Sequence, residues 1–63
     1  MRTMAEDISE GDYLIDLDNG YVFMEPEEDQ YYVDIFFHTS EGDEANIRVP
    51  KDFELNVQEG EPV

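Results

Sequence analysis

The sequence contains no cysteine and no tryptophan, a single histidine, and only three lysine and arginine residues among its 63 residues. Without cysteine, the chain can form neither a disulfide scaffold nor a thiolate site for zinc or an iron–sulfur cluster. It also lacks an apolar run near the ~20 residues of a membrane-spanning helix, and its first residues have no signal-peptide core. We therefore expect a cytoplasmic protein, in the host cytoplasm if it is viral, with no membrane contact.

The charge is almost all of one sign, because eighteen aspartate and glutamate residues give a formal net charge of −15. Direct binding to nucleic acid is excluded, since the electrostatic term that drives phosphate binding would be repulsive. High charge is also typical of disordered chains, but a hydrophobic share of 40% with four Tyr and four Phe is that of a folded domain. A chain of this length has enough core for one domain.

The first strand signal surrounds Asn19-Gly20, the strongest short hairpin pattern, because both central residues of a type I′ turn need positive φ. The residues before it alternate between apolar and acidic with the period of two that a strand requires. A two-residue loop at this point pairs Leu17 with Val22 and Ile15 with Met24. We expect these four residues to form one apolar face, with Tyr13 continuing it.

The second strand signal is the longest, from Gln30 to Thr39, and it is rich in β-branched and aromatic residues. Ser40-Glu41-Gly42 follows as a three-residue hairpin loop with glycine in the left-handed position. On the face opposite the core this loop pairs Asp34 with Arg48. On the core face it pairs apolar residues only: Val33 with Val49, Ile35 with Ile47 and Phe37 with Ala45.

Residues 50–52 form a predicted turn, and Phe53 to Gln58 reads as a fifth strand with Phe53, Leu55 and Val57 inward. The fold class is therefore all-β, a small five-stranded antiparallel barrel or meander sheet. Residues 1–11 are predicted as a flexible N-terminal arm, 12–58 as the single β domain and 59–63 as a tail. The expected core is Tyr13, Ile15, Leu17, Val22, Met24, Val33, Ile35, Phe37, Ile47, Val49, Leu55 and Val57.

The stretch from Ile47 to Leu55 resembles the end of a Src-homology-3 domain, in which a strand runs into a proline, a short helical turn, an aromatic residue and the last strand. Pro50 and Phe53 occupy the proline and aromatic positions. The family's N-terminal Ala-Leu-Tyr-Asp-Tyr motif and its tryptophan are absent. The resemblance implies a Src-homology-3-like barrel topology and gives no support to proline-peptide binding.

Residues suited to catalysis are sparse in this chain. The single histidine, His38, falls on the face opposite the predicted core, and no serine is placed to act with it. Carboxylate pairs such as Asp16 and Asp18 are expected from composition alone in so acidic a chain. We therefore predict that the protein is not an enzyme.

One stretch resembles a metal-binding loop, since Asp16-Leu17-Asp18-Asn19-Gly20 is similar to the opening of an EF-hand and Glu27 falls at its twelfth position. In that family glycine stands at the sixth position, whereas here Gly20 is fifth and Tyr21 is sixth. The flanking residues also alternate as strands where the family has helices. A hairpin turn accounts for the same residues, so we predict no metal site and no cofactor.

The face opposite the predicted core is partly apolar, with Leu14, Tyr21, Phe23, Tyr32 and Phe36 interleaved with acids. Barrel curvature, the N-terminal arm or a homodimer would cover such residues. The alternative is a docking surface for a basic partner, since aromatic residues are the usual anchors of interfaces.

Two explanations of the acidity remain open, beside that of a solvated acidic surface that only keeps a small domain soluble. Excess acid with a single lysine, Lys51, is typical of proteins adapted to molar salt. On that interpretation the chain is a small acidic β module of a halophile, serving as a structural or protein-interaction subunit. The other explanation is mimicry of nucleic acid, because residues i and i+2 of a strand lie ~6.6–6.8 Å apart. Two steps of the ~3.4 Å rise per phosphate on one DNA strand cover a similar distance.

In size and charge the chain resembles the phage-encoded acidic proteins that mimic DNA and block repair, restriction, CRISPR or nucleoid proteins. The resemblance implies an acidic nucleic-acid mimic that binds and inhibits a basic DNA- or RNA-handling protein, and we rank this interpretation first. The candidate partner-binding residues are Asp16, Asp18, Tyr21, Phe23, Glu25, Glu27, Glu28, Asp29, Tyr32, Asp34, Phe36, Glu41, Asp43 and Glu44.

Overall fold

The alternating segments of the chain form an antiparallel sheet in the computed structural model, which describes residues 2–58. The seven strands of this part of the chain are β1 (Arg2–Met4), β2 (Tyr13–Leu14), β3 (Gly20–Val22), β4 (Glu27–Glu28), β5 (Tyr32–His38), β6 (Glu44–Pro50) and β7 (Glu54–Gln58). Two single-turn 3-10 helices, Ala5–Asp7 and Ile15–Leu17, interrupt them. The all-β antiparallel fold expected from the sequence is confirmed, although with seven strands in place of five.

The strand order is β1-β7-β2-β3-β5, and β5 has β6 along its other edge. β4 lies beside the first half of β5 and β3 beside the second half, because β4 pairs with Asp34 and Val33 while β3 pairs with His38 and Phe37. The sheet does not close into a barrel, because β1, β4 and β6 each pair with a single strand within residues 2–58 and not with one another. The barrel form of the prediction is therefore not adopted.

The hairpin of β5 and β6 confirms the register predicted from the sequence. Val33 faces Val49, Ile35 faces Ile47 and Phe37 faces Ala45. Gly42 has the positive φ of 89° that the loop requires, a conformation that side chains disfavour. Because this long pairing places Val33, Ile35 and Phe37 on one side, it supplies the centre of the buried core.

The first hairpin differs from its prediction. Ile15–Leu17 forms a 3-10 turn instead of strand, and the two positive φ values belong to Asp18 (57°) and Asn19 (54°). Gly20 is already in β3, where it faces Leu14 of β2. Because successive strand residues alternate sides, this different pairing reverses the two faces of β2, whereas Val22 of β3 stays in the core as expected.

The reversal changes which residues of the first hairpin are buried. Leu14, expected on the outer face, is 0% exposed, whereas Ile15 is 43% exposed. Tyr13 and Met24, also expected in the core, are exposed, as is Phe53 ahead of β7. The nine buried core residues of the described chain are Ala5, Ile8, Leu14, Val22, Val33, Ile35, Phe37, Leu55 and Val57.

The N-terminal segment joins the fold, in contrast to the flexible arm expected for residues 1–11. β1 pairs with β7, placing Thr3 opposite Leu55. The Ala5 N–H donates to the carbonyl of Phe53 at 2.8 Å, and both Ala5 and Ile8 are buried in the core. Two buried apolar residues three positions apart are too few to produce a periodic signal in the sequence. The tail expected at 59–63 lies outside the described residues.

Replacement of Gly20 by alanine tests this arrangement. A Cβ at position 20 would overlap Cδ2 of the buried Phe37 ring and lie 3.0 Å from its Cε2. We expect Gly20→Ala to lower the free energy of unfolding by about 1–3 kcal/mol, measured by urea denaturation, because overpacking a filled core strains it. In a Phe37→Leu background the same substitution should cost clearly less. An equal cost in both backgrounds would show that Phe37 is not the obstacle.

Candidate functional site: an aromatic face with an acidic rim

The face of the sheet opposite the core is called the outer face here, and cross-strand pairing defines it. One row crosses four strands, from Tyr13 to Tyr21, to His38 and to Glu44. Directly paired residues lie on the same side of a sheet, so these four side chains are neighbours. The row ends on a carboxylate at β6.

A second row of the outer face crosses β4, β5 and β6 through Glu27, Asp34 and Arg48. Between the two rows, Phe36 of β5 lies opposite Asn46 of β6. Beyond the second row, Tyr32 begins β5. The outer face therefore alternates aromatic and charged residues along β5, and it has carboxylates at Glu27 of β4 and Glu44 of β6.

The aromatic rings of the outer face contact one another and a cation. The ring centroids of Tyr13 and Tyr21 are 5.2 Å apart, and Phe23 stacks on His38 with 4.2 Å between centroids. Tyr13, Tyr21 and Tyr32 are nevertheless exposed. Exposed tyrosines already held against neighbours lose little conformational freedom when a partner binds, which favours them as anchors.

Arg48 ties two of the predicted binding acids into the fold. Its guanidinium lies 2.5 Å from a carboxylate oxygen of Asp29 and 3.1 Å from one of Asp34, and it sits 4.8 Å from the centre of the Tyr32 ring. Asp29 also accepts the backbone N–H groups of Tyr31 and Tyr32 at 2.8 and 2.7 Å. The hydrogen bond from the Tyr32 backbone, then that from Tyr31, and then Arg48 hold the pKa of Asp29 below its usual value.

Asp16 and Asp18 are also engaged within the chain. Asp16, in the 3-10 turn, accepts the backbone N–H of Asn56 at 3.0 Å and its side-chain amide at 3.1 Å. These bonds, the backbone one foremost, hold the pKa of Asp16 below its usual value. Asp18 accepts the hydroxyl of Ser40 at 2.6 Å. The mimic interpretation applies the i, i+2 spacing of a strand to this pair, but Asp16 lies in a 3-10 turn and Asp18 directly follows it, so that spacing does not apply here.

The pKa of Asp16 gives a pH prediction with a definite sign. A carboxyl whose folded pKa is lowered stabilises the fold above its unfolded pKa of about 4, and this contribution disappears as the pH falls through the lower folded value. We expect Asp16→Asn to be less stable than the parent in urea unfolding at about pH 7, with the difference shrinking at about pH 3. The control Asp7→Asn removes the same charge at a carboxylate that makes no side-chain hydrogen bond within residues 2–58. A difference that stays constant with pH would contradict the role of Asp16.

All three lysine and arginine residues are paired with carboxylates in the described chain. Arg2 lies 2.9 Å from Glu54, Lys51 lies 3.3 Å from Glu28, and Arg48 contacts the two aspartates already described. All these pairs are at least partly exposed, so each adds little to stability. Their consequence is electrostatic, because the cations neutralise some acids and leave the others without compensation.

The uncompensated acids next to the outer face fall into two groups, one around β4 and one at the β5–β6 hairpin. Among the predicted binding residues, Glu25, Glu27, Glu41, Asp43 and Glu44 make no side-chain hydrogen bond or ion pair within residues 2–58. These five residues are called the acidic rim. The first two lie at β4 and the other three at the β5–β6 hairpin.

The sequence identified most of this site but not all of it. Tyr21, Phe23, Tyr32 and Phe36 were expected on the outer face, and they lie there or at its edge. Tyr13 was missed because the register of the first hairpin was predicted wrongly. His38 was placed on this face but was not included in the site; its position between Tyr21 and Glu44 follows from the pairing, which the strand pattern alone does not give.

Within residues 2–58, no group of His, Asp and Glu side chains is arranged to hold a metal ion. That part of the chain also has no helix with the length and apolarity to cross a membrane. Comparisons with family models, curated proteins and solved structures found no match to this chain. The function must therefore be inferred from the surface itself.

Proposed function

We propose that the protein is an acidic binding module that docks on a basic DNA- or RNA-handling protein and occupies its nucleic-acid site. The observation that supports this most is the charge arrangement: the three cations are neutralised internally, while the acidic rim flanks exposed aromatic residues. A basic cleft built for phosphates would gain favourable electrostatic energy with such a surface. Inhibition follows, because the cleft cannot hold nucleic acid at the same time.

The two parts of the site have different roles in this proposal. The acidic rim accelerates the encounter with a basic partner, and this steering weakens as salt is added. Tyr13, Tyr21 and Tyr32 then bury ring surface against the partner, and arginine or lysine side chains of the partner can lie over their faces. Arg48 already occupies this position over Tyr32 within the chain.

Competition with nucleic acid tests the proposal. The immobilised protein is incubated with cell lysate at low salt, and the retained proteins are challenged with duplex DNA and with single-stranded RNA. We expect the retained proteins to be nucleic-acid-binding proteins. Duplex DNA or single-stranded RNA should release each of them at a competitor concentration near the dissociation constant of that protein for the competitor. Retained proteins that hold nucleic acid and this chain simultaneously would contradict the proposal.

A salt titration separates this function from adaptation to molar salt. We expect the far-ultraviolet circular dichroism of a β protein at ordinary ionic strength, near 0.15 M, because the sheet forms around an apolar core that needs no screening. Added salt should raise the unfolding temperature modestly by screening a charge of −15. Structure that forms only near 1 M salt would instead identify a salt-adapted module, with the mimic interpretation abandoned.

A further inference from the structure

Within residues 2–58, β6 has one edge with no neighbouring strand, called its free edge, and the hydrogen bonds at the two ends of β6 show which backbone groups point toward that edge. The Thr39 N–H donates to the carbonyl of Asp43 at 2.8 Å, and the Lys51 N–H donates to the carbonyl of Tyr31 at 3.2 Å. In an antiparallel ladder, residues that bond to the neighbour alternate with residues whose N–H and C=O point away from it. Ala45, Ile47 and Val49 lie an even number of positions from residues 43 and 51, so their backbone N–H and C=O groups also point toward β5.

The remaining residues of β6 therefore present their backbone to the other side. Glu44, Asn46 and Arg48 direct their N–H and C=O groups away from β5, where no strand lies within residues 2–58. Pro50 has the same parity and no N–H to direct there, which is the position in which an edge strand tolerates proline. The pairing of β6 with β5 is one to one along all seven residues, with no bulge to twist the edge away.

The core is also incompletely covered along this strand. Ala45, Ile47 and Val49 have their side chains on the core face and pack against the buried cluster, but all three remain half-buried. An additional strand beside β6 would place alternate side chains over them. Arg48 does not block its approach, because its side chain is held on the outer face by Asp29 and Asp34.

We propose that the free edge of β6 takes up an extended basic segment of the partner by β-strand addition, which rests on the proposed function and specifies how the partner is held. Backbone bonds to Glu44, Asn46 and Arg48 provide the attachment. Charge complementarity selects the occupant: Glu41, Asp43 and Glu44 lie at one end of the edge, so lysine or arginine suits the outer-face positions. Apolar residues suit the alternate positions beside Ile47.

A second copy of the chain is a poorer occupant for an electrostatic reason. Antiparallel pairing of two β6 strands about Ile47 would match Ala45 with Val49, which is sterically suitable. It would also bring together two chains that each have a net charge of −15. Repulsion between them opposes this pairing at ordinary ionic strength, whereas a basic strand is attracted.

Three synthetic peptides test strand addition. The first alternates lysine with valine over about eight residues, the usual length of a strand. The second and the third have the same sequence, each with one of the two alternate sets of backbone nitrogens methylated, which keeps the charge and removes the N–H donors of one edge. We expect the first peptide to bind at low salt and to slow amide exchange of Glu44, Asn46 and Arg48 by about tenfold or more in nuclear magnetic resonance spectra. At least one of two methylated versions, which differ in the set of nitrogens modified, should bind about tenfold more weakly.

Asn46→Pro provides the complementary change on the protein. Residue 46 does not use its N–H in the β5–β6 ladder, so the substitution removes an edge donor and no existing bond of the sheet. The folded variant, checked by its spectrum, should bind the lysine–valine peptide about tenfold more weakly. Its net charge is unchanged.

Three results would overturn strand addition. Equal affinity for the plain peptide and both methylated peptides would show that charge alone holds them, which leaves the proposed function standing. Slowed amide exchange at other residues of the outer face, but not at Glu44, Asn46 and Arg48, would place the peptide on the outer face. That result would also leave the proposed function standing. Protection of these amides that rises with protein concentration, without peptide, would make a second copy the occupant. Failure of the proposed function would be seen in the competition experiment, where nucleic acid would not displace the retained proteins.

Discussion

Leu14→Ala is expected to unfold a large fraction of the protein, whereas Ile15→Ala leaves it folded. Leu14 is 0% exposed and is one of the largest fully buried side chains of the described chain. Truncating such a leucine costs about 2–5 kcal/mol, because apolar burial is lost and a cavity remains. A domain of this size has a free energy of unfolding of only a few kcal/mol. The loss of one side chain therefore consumes most of its stability.

Ile15 is the matched control, since it is the next residue in the chain and loses the same number of carbon atoms. With 43% of its surface exposed, Ile15 gains only part of the transfer free energy on folding, and its truncation leaves no enclosed cavity. The substitution should therefore cost below about 1.5 kcal/mol. Urea denaturation followed by circular dichroism gives both values. The hairpin expected from the sequence places Ile15 in the core and Leu14 outside, so the opposite order of effects would restore that register and refute the structure.

The contrast between the two hairpins explains what the sequence could predict. In the β5–β6 hairpin, apolar residues face each other only in one register, and Gly42 is needed for its positive φ. Local pattern and global pairing therefore agree. At the first hairpin Asn19-Gly20 suggested that Gly20 also supplied a positive φ, yet its role is to let Phe37 approach closely. A requirement set by a ring seventeen positions further along the chain leaves no local signal.

The candidate site was predictable in the same uneven way. The outer-face residues of β5 follow from alternation within one long strand, so Tyr32, Asp34 and Phe36 were correctly placed. Which acids are free to bind was not predictable, because the contacts that engage them join distant positions. Asp16 is held by Asn56, forty residues away, and Asp18 by Ser40, twenty-two residues away. Such contacts depend on tertiary structure and not on composition.

Reversing the charge of the hairpin part of the acidic rim should weaken partner binding most. The variant Glu41→Lys/Asp43→Lys/Glu44→Lys removes three uncompensated carboxylates beside the outer face and the β6 edge. We expect the affinity for a basic protein isolated by the DNA competition to fall by about 100-fold near 0.05 M salt, and by much less near 0.3 M, since steering and rim attraction are screened. Fluorescence anisotropy with the labelled partner measures the affinity at both salt concentrations.

A second triple variant separates the position of the charge from its amount. Glu6→Lys/Asp7→Lys/Glu10→Lys changes the net charge equally, but these residues flank the N-terminal segment whose Ala5 and Ile8 pack into the core. This variant should lose less than about tenfold in affinity, because its lysines are not at the binding surface. Both variants should remain folded, since lowering the net charge relieves self-repulsion. If the two lose affinity equally, binding responds only to the total charge, and the outer face with its acidic rim is not the docking site.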